Sequence, residues 1–111
     1  MTRIDQYRFG YFIVDGREYD SDIRIIHSVV EKWDDHGLEW KDVEPATKSN
    51  PNIIIIGTGS SGVVQVSDDI KEKLKKLEIK LIVEKTQEAC RIFNELREKK
   101  EKVNAVLHST C

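Results

Sequence analysis

The sequence predicts a three-layer α/β fold built on a mixed central sheet. Its first half, residues 1–52, is rich in strand-forming residues, whereas residues 53–111 alternate between strand and helix patterns. Residues 53–56 are four consecutive isoleucines, which is typical of a parallel strand covered on both faces. The strand–helix–strand–helix–strand order of the second half implies parallel strands joined by right-handed crossovers. We expect an N-terminal antiparallel β-layer to cover or extend this sheet.

The first half consists of predicted strands separated by polar turns. Asp15 and Gly16 form a strong two-residue hairpin signal between two of these strands. A short helix is predicted over residues 42–48, and a loop follows at residues 49–52. The predicted strands, all rich in β-branched or aromatic residues, are 4–9, 11–14, 17–19, 23–26 and 29–33.

The second half contains two predicted amphipathic helices, with Ser67 and Thr86 as their N-caps. Apolar residues follow each cap at helical spacing. They are Ile70, Leu74 and Leu77 in the first helix, and Ala89, Ile92, Phe93 and Leu96 in the second. Cys90 lies beside the second apolar stripe and is interpreted as a small core residue. The predicted strands here are 53–56, 80–84 and 103–107, and residues 63–66 are also strand-like.

Length and charge exclude several classes of function. A chain of 111 residues is predicted to form a single domain over residues 1–111. Its 18 basic and 20 acidic residues argue against a dedicated nucleic-acid binder, which needs a clustered basic face. The longest apolar run is far shorter than the roughly 20 residues that span a bilayer, so no membrane segment is predicted. Two cysteines without a secretory signal indicate a cytoplasmic protein.

Basic residues are concentrated in two stretches of the second half, residues 71–80 and 97–102. Both stretches coincide with the predicted helices. We interpret them as solvated helix surfaces, and a patch for an anionic partner is the alternative.

A glycine-rich segment follows the isoleucine strand and fits the pattern G-x-G-x-x-G. It reads Gly57, Thr58, Gly59, Ser60, Ser61 and Gly62. In a dinucleotide-binding fold such glycines open a helix whose N-terminus faces a pyrophosphate. Here the strand-like residues 63–66 come next, and the first helix cap is Ser67. The pattern therefore favours a turn into a short strand, and a nest of backbone amides for another anion is the alternative.

The carboxyl ends of parallel strands meet at one edge of a sheet, where ligands bind in this class of fold. We therefore predict a polar pocket at this edge. Its candidate residues are Gly57, Thr58, Gly59, Ser61, Gly62, Thr86, His108, Thr110, Cys111 and His36.

A Cys–His pair can act as a nucleophile with its base or as half of a metal site. His108 and Cys111 are three residues apart, however, so they point to opposite faces if the segment is extended. His36 could be a general base, but a polar turn explains residues 33–37 more simply. We therefore assign no catalytic residue, no metal and no cofactor.

Several motifs together carry a family resemblance. They are Gly16-Arg17-Glu18-Tyr19-Asp20, Trp33…His36, Ile54-Ile55-Ile56-Gly57-Thr58-Gly59, Lys85-Thr86-Gln87-Glu88-Ala89, Phe93-Asn94-Glu95-Leu96 and Ala105-Val106-Leu107-His108-Ser109-Thr110-Cys111. Over roughly residues 4–111 the chain resembles the domain of unknown function 498 family. Eukaryotic relatives in that family include mitochondrial complex I assembly factor 3 and an adipogenesis-associated protein. The chain has no presequence or insertions, so it looks like an archaeal or bacterial single-domain member. The resemblance implies a compact α/β fold with a mixed sheet and brings no known reaction.

Two functional hypotheses follow. The first is a non-enzymatic interaction or assembly module whose strand-end edge binds a protein partner or a small anion. The alternative is a small enzyme or metabolite-binding protein that uses the amides of residues 57–62 for an anion and His36 or His108 as acid and base. A homodimer is compatible with either hypothesis, and neither involves nucleic acid or a membrane.

Overall fold

A computed structural model of the chain describes residues 2–33 and 37–110. The candidate residues His36 and Cys111 lie outside these ranges. The described elements follow the predicted order along the chain. They are β1 (Ile4–Arg8), β2 (Tyr11–Val14), β3 (Arg17–Tyr19), β4 (Asp22–Ile26), β5 (Val29–Trp33), α1 (Trp40–Val43), a 3-10 helix (Glu44–Thr47), β6 (Ile53–Gly57), α2 (Asp68–Lys76), β7 (Lys80–Glu84), α3 (Thr86–Glu98) and β8 (Val103–Leu107).

The strands form two sheets. The larger sheet has the order β5-β4-β8-β6-β7, and the smaller sheet has the order β1-β2-β3. Strand β6 runs parallel to both β7 and β8, whereas β4 runs antiparallel to β5 and β8. The predicted mixed sheet with a parallel second half is confirmed. Part of the N-terminal half extends the central sheet (β4 and β5), and the rest forms a separate antiparallel layer (β1 to β3).

The central sheet is buried on both faces, as its isoleucine strand predicts. Ile53 and Ile55 of β6 belong to a core shared with α3 and the smaller sheet. Ile54 and Ile56 point the other way, into a core shared with α1 and α2. Each such side chain contributes about 1.5–3 kcal/mol when it is fully buried. The chain is therefore organised in three layers around the larger sheet.

The helix starts agree with the sequence in one case and differ in another. Ser67 caps α2, because its Oγ accepts a hydrogen bond from the backbone N–H of Ile70 at 3.3 Å. The prediction of Thr86 as the cap of α3 is wrong: Lys85 occupies that position and Thr86 is the first helical residue. The hydroxyl of Thr86 is engaged between strand ends instead, as described below. The short helix predicted at 42–48 begins earlier, at Trp40, and its second half is a 3-10 helix.

Residues 63–66 do not form the predicted short strand. Strand β6, from which this segment emerges, already has β7 on one side and β8 on the other. The segment therefore finds no free edge beside β6, and it runs back over the glycine-rich loop, where the backbone N–H of Val64 donates to the carbonyl of Thr58 at 3.2 Å.

Candidate functional site

The carboxyl ends of the three parallel strands lie level with one another. Gly57 at the end of β6 pairs in register with Glu84 of β7 and with Leu107 of β8. We call the segments that follow these strands, residues 57–67, 84–86 and 107–110, the strand-end edge. The structure places all the described candidate residues in this edge.

Thr86 links the three strand ends. It is fully buried, and its Oγ1 accepts a hydrogen bond from the backbone N–H of Gly59 at 2.9 Å. The same hydroxyl donates to the carbonyl of His108 at 2.8 Å. The backbone N–H of Thr86 also donates to the carbonyl of Gly59 at 3.1 Å. One side chain therefore joins the loop after β6, the start of α3 and the end of β8.

Four backbone amides of the glycine-rich loop, those of Thr58, Gly59, Ser60 and Gly62, donate to acceptors within the chain. The backbone N–H and hydroxyl of Thr58 both donate to the carbonyl of Glu84, at 2.9 and 3.1 Å. The amide of Ser60 donates to the carbonyl of Thr110 at 3.2 Å, and that of Gly62 donates to the carbonyl of Gly59 at 3.3 Å. An anion nest needs amides that point outward. Anion binding by this loop stays a prediction that these hydrogen bonds do not support.

The glycines of the loop are required by space and by backbone conformation. A Cβ atom on Gly57 would lie 2.8 Å from the Thr86 hydroxyl and 2.9 Å from a methyl group of Leu107. Gly59 and Gly62 have φ angles of 101° and 72°, in the left-handed region that favours glycine. The missing side chain of Gly57 thus allows β6, β8 and α3 to approach closely, and the two later glycines allow the loop to turn.

His108 is buried, with 2% of its surface exposed. Its Nδ1 lies 3.1 Å from the carbonyl oxygen of Gly57, and its Nε2 lies 2.9 Å from that of Gly37. Both carbonyl oxygens are acceptors, so a ring nitrogen bonds to either of them only as an N–H donor. The ring also stands edge-on to Trp33 at a centroid distance of 5.0 Å. Packing on every side holds His108 as a link between β6, β8 and the segment at Gly37.

The segment after β8 is tied to the N-terminal half of the chain. The backbone N–H and hydroxyl of Ser109 donate to Oδ1 of Asp22, at 2.6 and 3.0 Å. The carbonyl of Ser109 accepts from the amide of Gly10 at 2.8 Å and from the Tyr7 hydroxyl at 2.9 Å. Sequence reasoning missed these partners, because nothing in the local pattern signals pairs that are 87 to 102 residues apart.

Exposed side chains flank this closed interior. Phe9 in the turn after β1 is 67% exposed, and Val63 after the glycine-rich loop is 64% exposed. Both exposed residues lie next to the segment after β8. The amide of Gly10, which follows Phe9, donates to the carbonyl of Ser109, and the amide of the loop residue Ser60 donates to the carbonyl of Thr110. The rim is defined here as four residues around the edge. They are Phe9, Ser60, Ser61 and Val63.

Cys90 lies outside the strand-end edge, on α3. It belongs to the core beside the smaller sheet, as the sequence predicts. Burial raises the pKa of its thiol to about 12. The side chain therefore stays protonated at neutral pH and does not act as a nucleophile in the folded chain.

Solved structures from several organisms share this fold. The protein PH1505 of Pyrococcus horikoshii is 25% identical with a TM-score of 0.84, over 98% of this chain and 99% of that one. A protein named MT938 is 27% identical with a TM-score of 0.82, over the whole of both chains. A Bartonella henselae protein described as an outer membrane protein has a TM-score of 0.90 at 23% identity, over 99% and 96% of the two chains. The last likeness concerns the fold alone. In the described part of our chain, no helix is long and apolar enough to cross a membrane.

The sequence also matches a protein family directly. The matching family is described as protein of unknown function (DUF498/DUF598), and the match covers residues 4–108. It includes every strand and helix of the fold and all described parts of the strand-end edge except Ser109 and Thr110. The chain therefore belongs to the DUF498/DUF598 family.

Proposed function

We propose that the protein is a non-enzymatic interaction module whose rim binds a protein partner. The observation that carries the proposal is a contrast within one edge of the sheet. The polar groups inside the edge bond to one another, while the large apolar side chains around it are about two-thirds exposed. A surface of this kind can contact a partner without any change in the interior.

The closed interior weighs against the enzyme alternative. A catalytic acid or base has to reach the atom whose proton it transfers, within hydrogen-bond distance or through one water molecule. The hydroxyls of Thr58 and Thr86 and the ring of His108 are all buried and face carbonyl groups of the chain. Among the described candidates, a substrate would meet Ser61, Gly62 and Thr110 first.

The composition of the rim favours a protein as the ligand. Aromatic residues are enriched at the cores of protein interfaces, and a polar border commonly surrounds them. Phe9 is the most exposed large apolar residue described in the chain, and the hydroxyl groups of Ser60 and Ser61 lie on the other side of the same segment. An apolar side chain of a partner would contact Phe9 and Val63, and polar groups of the same partner would bond to the two serine hydroxyls.

Photo-crosslinking in cells of the source organism tests the proposal. A photoreactive phenylalanine analogue is placed at Phe9 or at Val63 in two separate variants. Matched controls carry it at Val29 or at Leu77, which are 64% and 52% exposed but lie far from the strand-end edge. We expect one and the same protein to be crosslinked from both rim positions and from neither control.

Adducts that form equally from all four positions, or from none, would overturn the proposal, because the rim would then have no particular partner. An adduct of the chain with a second copy of itself, formed from the rim positions alone, would identify that second copy as the partner. As a check on the first variant, Phe9→Ser should abolish crosslinking from Val63 without changing the melting temperature.

A further inference from the structure

A cleft of about 270 Å³ lies at the opposite edge of the sheet, beside the amino end of β8. The turn between β4 and β5, the loop before β6 and the end of α3 form its walls. We call it the amino-end cleft. The polar residues that line it are His27, Ser28, Ser49, Arg97, Lys102 and Asn104.

Positive charge in the amino-end cleft is not balanced by carboxylates. The guanidinium of Arg97 donates to the hydroxyl of Ser28 at 3.0 Å and to the backbone carbonyl of Glu101 at 3.4 Å, and both acceptors are neutral. No acidic side chain of residues 2–33 or 37–110 forms an ion pair with Arg97 or Lys102. Two basic side chains and the imidazole of His27 therefore share one cleft, with no carboxylate of the described residues paired to either base.

The guanidinium of Arg97 also has an unused donor. Its Nε is buried and has no hydrogen-bond acceptor within the described ranges, although buried polar groups are nearly always paired. A cation in the last turn of a helix is favoured by the helix dipole, which accounts for a basic residue at this position. That explanation gives Nε no acceptor, and it does not account for Lys102 on the same cleft.

The walls of the amino-end cleft are fixed by Asn104. This side chain in β8 is buried, and its Oδ1 accepts from the backbone N–H of His27 at 3.0 Å. Its Nδ2 donates to the carbonyl of Ala46 at 2.8 Å. The turn after β4 and the segment before β6 are thereby held in place, so a ligand would meet a cleft that is already formed.

We propose that the amino-end cleft binds the phosphate group of a small phosphorylated molecule. On binding, the Arg97 guanidinium exchanges its bond to the Ser28 hydroxyl for the phosphate: Nη2 and the otherwise unpaired Nε turn toward the ligand and donate two parallel hydrogen bonds, the geometry for which arginine is suited. Lys102 adds a point charge, and the hydroxyls of Ser28 and Ser49 are further donors. The proposal uses none of the rim residues and is independent of the interaction module.

The test is a titration of the labelled protein, followed by nuclear magnetic resonance, with inorganic phosphate and with glycerol 3-phosphate. Sodium chloride at equal ionic strength is the reference. We expect shifts of the amide signals of His27, Ser28 and Asn104, and affinity that falls about ten- to hundredfold in Arg97→Gln and in Lys102→Gln. The control variants Arg17→Gln and Lys71→Gln, both at exposed positions, should bind as the unaltered protein does.

Equal weakening by the control variants, or shifts no larger than those caused by chloride, would overturn the proposal. Arg97→Lys keeps the charge but loses the paired donors, so it should bind more weakly than the unaltered protein and more tightly than Arg97→Gln. If Arg97→Gln lowers the melting temperature strongly, the phosphate affinity of Lys102→Gln is the deciding measurement, and an unchanged affinity in that variant would overturn the proposal. Tighter binding of glycerol 3-phosphate than of phosphate would identify an ester as the ligand, and equal binding would identify the free ion.

Discussion

The substitution Thr86→Val removes the hydroxyl that joins the three strand ends and keeps the shape of the side chain. Valine can neither accept the hydrogen bond from the Gly59 amide nor donate one to the His108 carbonyl. Both groups are left without their partner in a buried environment. A buried polar group that loses its partner costs about 1–3 kcal/mol.

For the two groups together, the expected loss in the free energy of unfolding is about 2–6 kcal/mol. For a domain of this size it corresponds to a fall of about 10–25 °C in melting temperature. Thr86→Ser is the matched control, because it keeps the hydroxyl and removes one methyl group from a fully buried side chain. It should cost only about 1 kcal/mol.

Urea denaturation of the three proteins measures these differences, and the m-value should not change. Two outcomes would refute the reasoning. The first is a Thr86→Val protein within about 0.5 kcal/mol of the unaltered one. The second is a Thr86→Ser protein as unstable as Thr86→Val, since the methyl group and not the hydroxyl would then be the stabilising part.

Three further predictions concern stability. Gly57→Ala should lower the free energy of unfolding, measured by urea denaturation, by about 1–3 kcal/mol, because the added Cβ would lie 2.8 Å from the Thr86 hydroxyl. The control Gly37→Ala has open space around the added Cβ and should lower it by less than about 0.5 kcal/mol. Equal losses in the two variants would contradict the packing argument. Ser67→Ala removes the N-cap of α2 and should lower the free energy of unfolding by about 1 kcal/mol. Helix content, measured by circular dichroism, is the second readout. An unchanged unfolding midpoint would count against the cap. Burial raises the pKa of the Cys90 thiol to about 12, so the folded chain keeps a proton that the unfolded chain releases above about pH 8.5. Between about pH 8.5 and pH 12, the free energy of unfolding should therefore fall with rising pH more steeply than in Cys90→Ala, by about 1.4 kcal/mol for each pH unit. Parallel curves of unfolding free energy against pH for the two proteins would disprove this.

The regular elements could be predicted from the sequence because their signals are local. Alternation in the first half, the four isoleucines and the helical spacing after Ser67 each depend on residues close together in the chain. The strand predicted at residues 63–66 failed for a non-local reason. Its pattern is strand-like, but no free edge lies beside β6, and no local signal shows which edges are occupied.

The convergence of Gly57, Thr86 and His108 could also be predicted, because it follows from strand direction alone. What these residues do there could not. Whether a hydroxyl faces inward or outward depends on the partner it finds, and the partners of Thr86 lie 22 and 27 residues away along the chain.

Polar residues with distant partners have no local signal. Asn94 lies on α3, where a polar residue is normally solvent-facing, yet its side chain bonds to both the N–H and the carbonyl of Ile4, at 2.9 and 2.8 Å. In the basic stretch 97–102, Lys99, Lys100 and Lys102 are exposed, as a solvated surface predicts, whereas Arg97 is half-buried. Arg97 and Lys102 meet in one cleft only because the turn after β4 closes over them.

The central claim concerns the strand-end edge: its glycine-rich loop is hydrogen-bonded within the chain, so that a protein partner contacts the rim and not the loop amides. Hydrogen exchange at the Gly59 amide, followed by nuclear magnetic resonance, tests it most directly. We predict that this amide exchanges about as slowly as those of β6, because its acceptor is the buried hydroxyl of Thr86, and that the Thr86→Val substitution removes the protection. Exchange as fast as in an open loop, while the amides of β6 remain protected, would contradict the central claim.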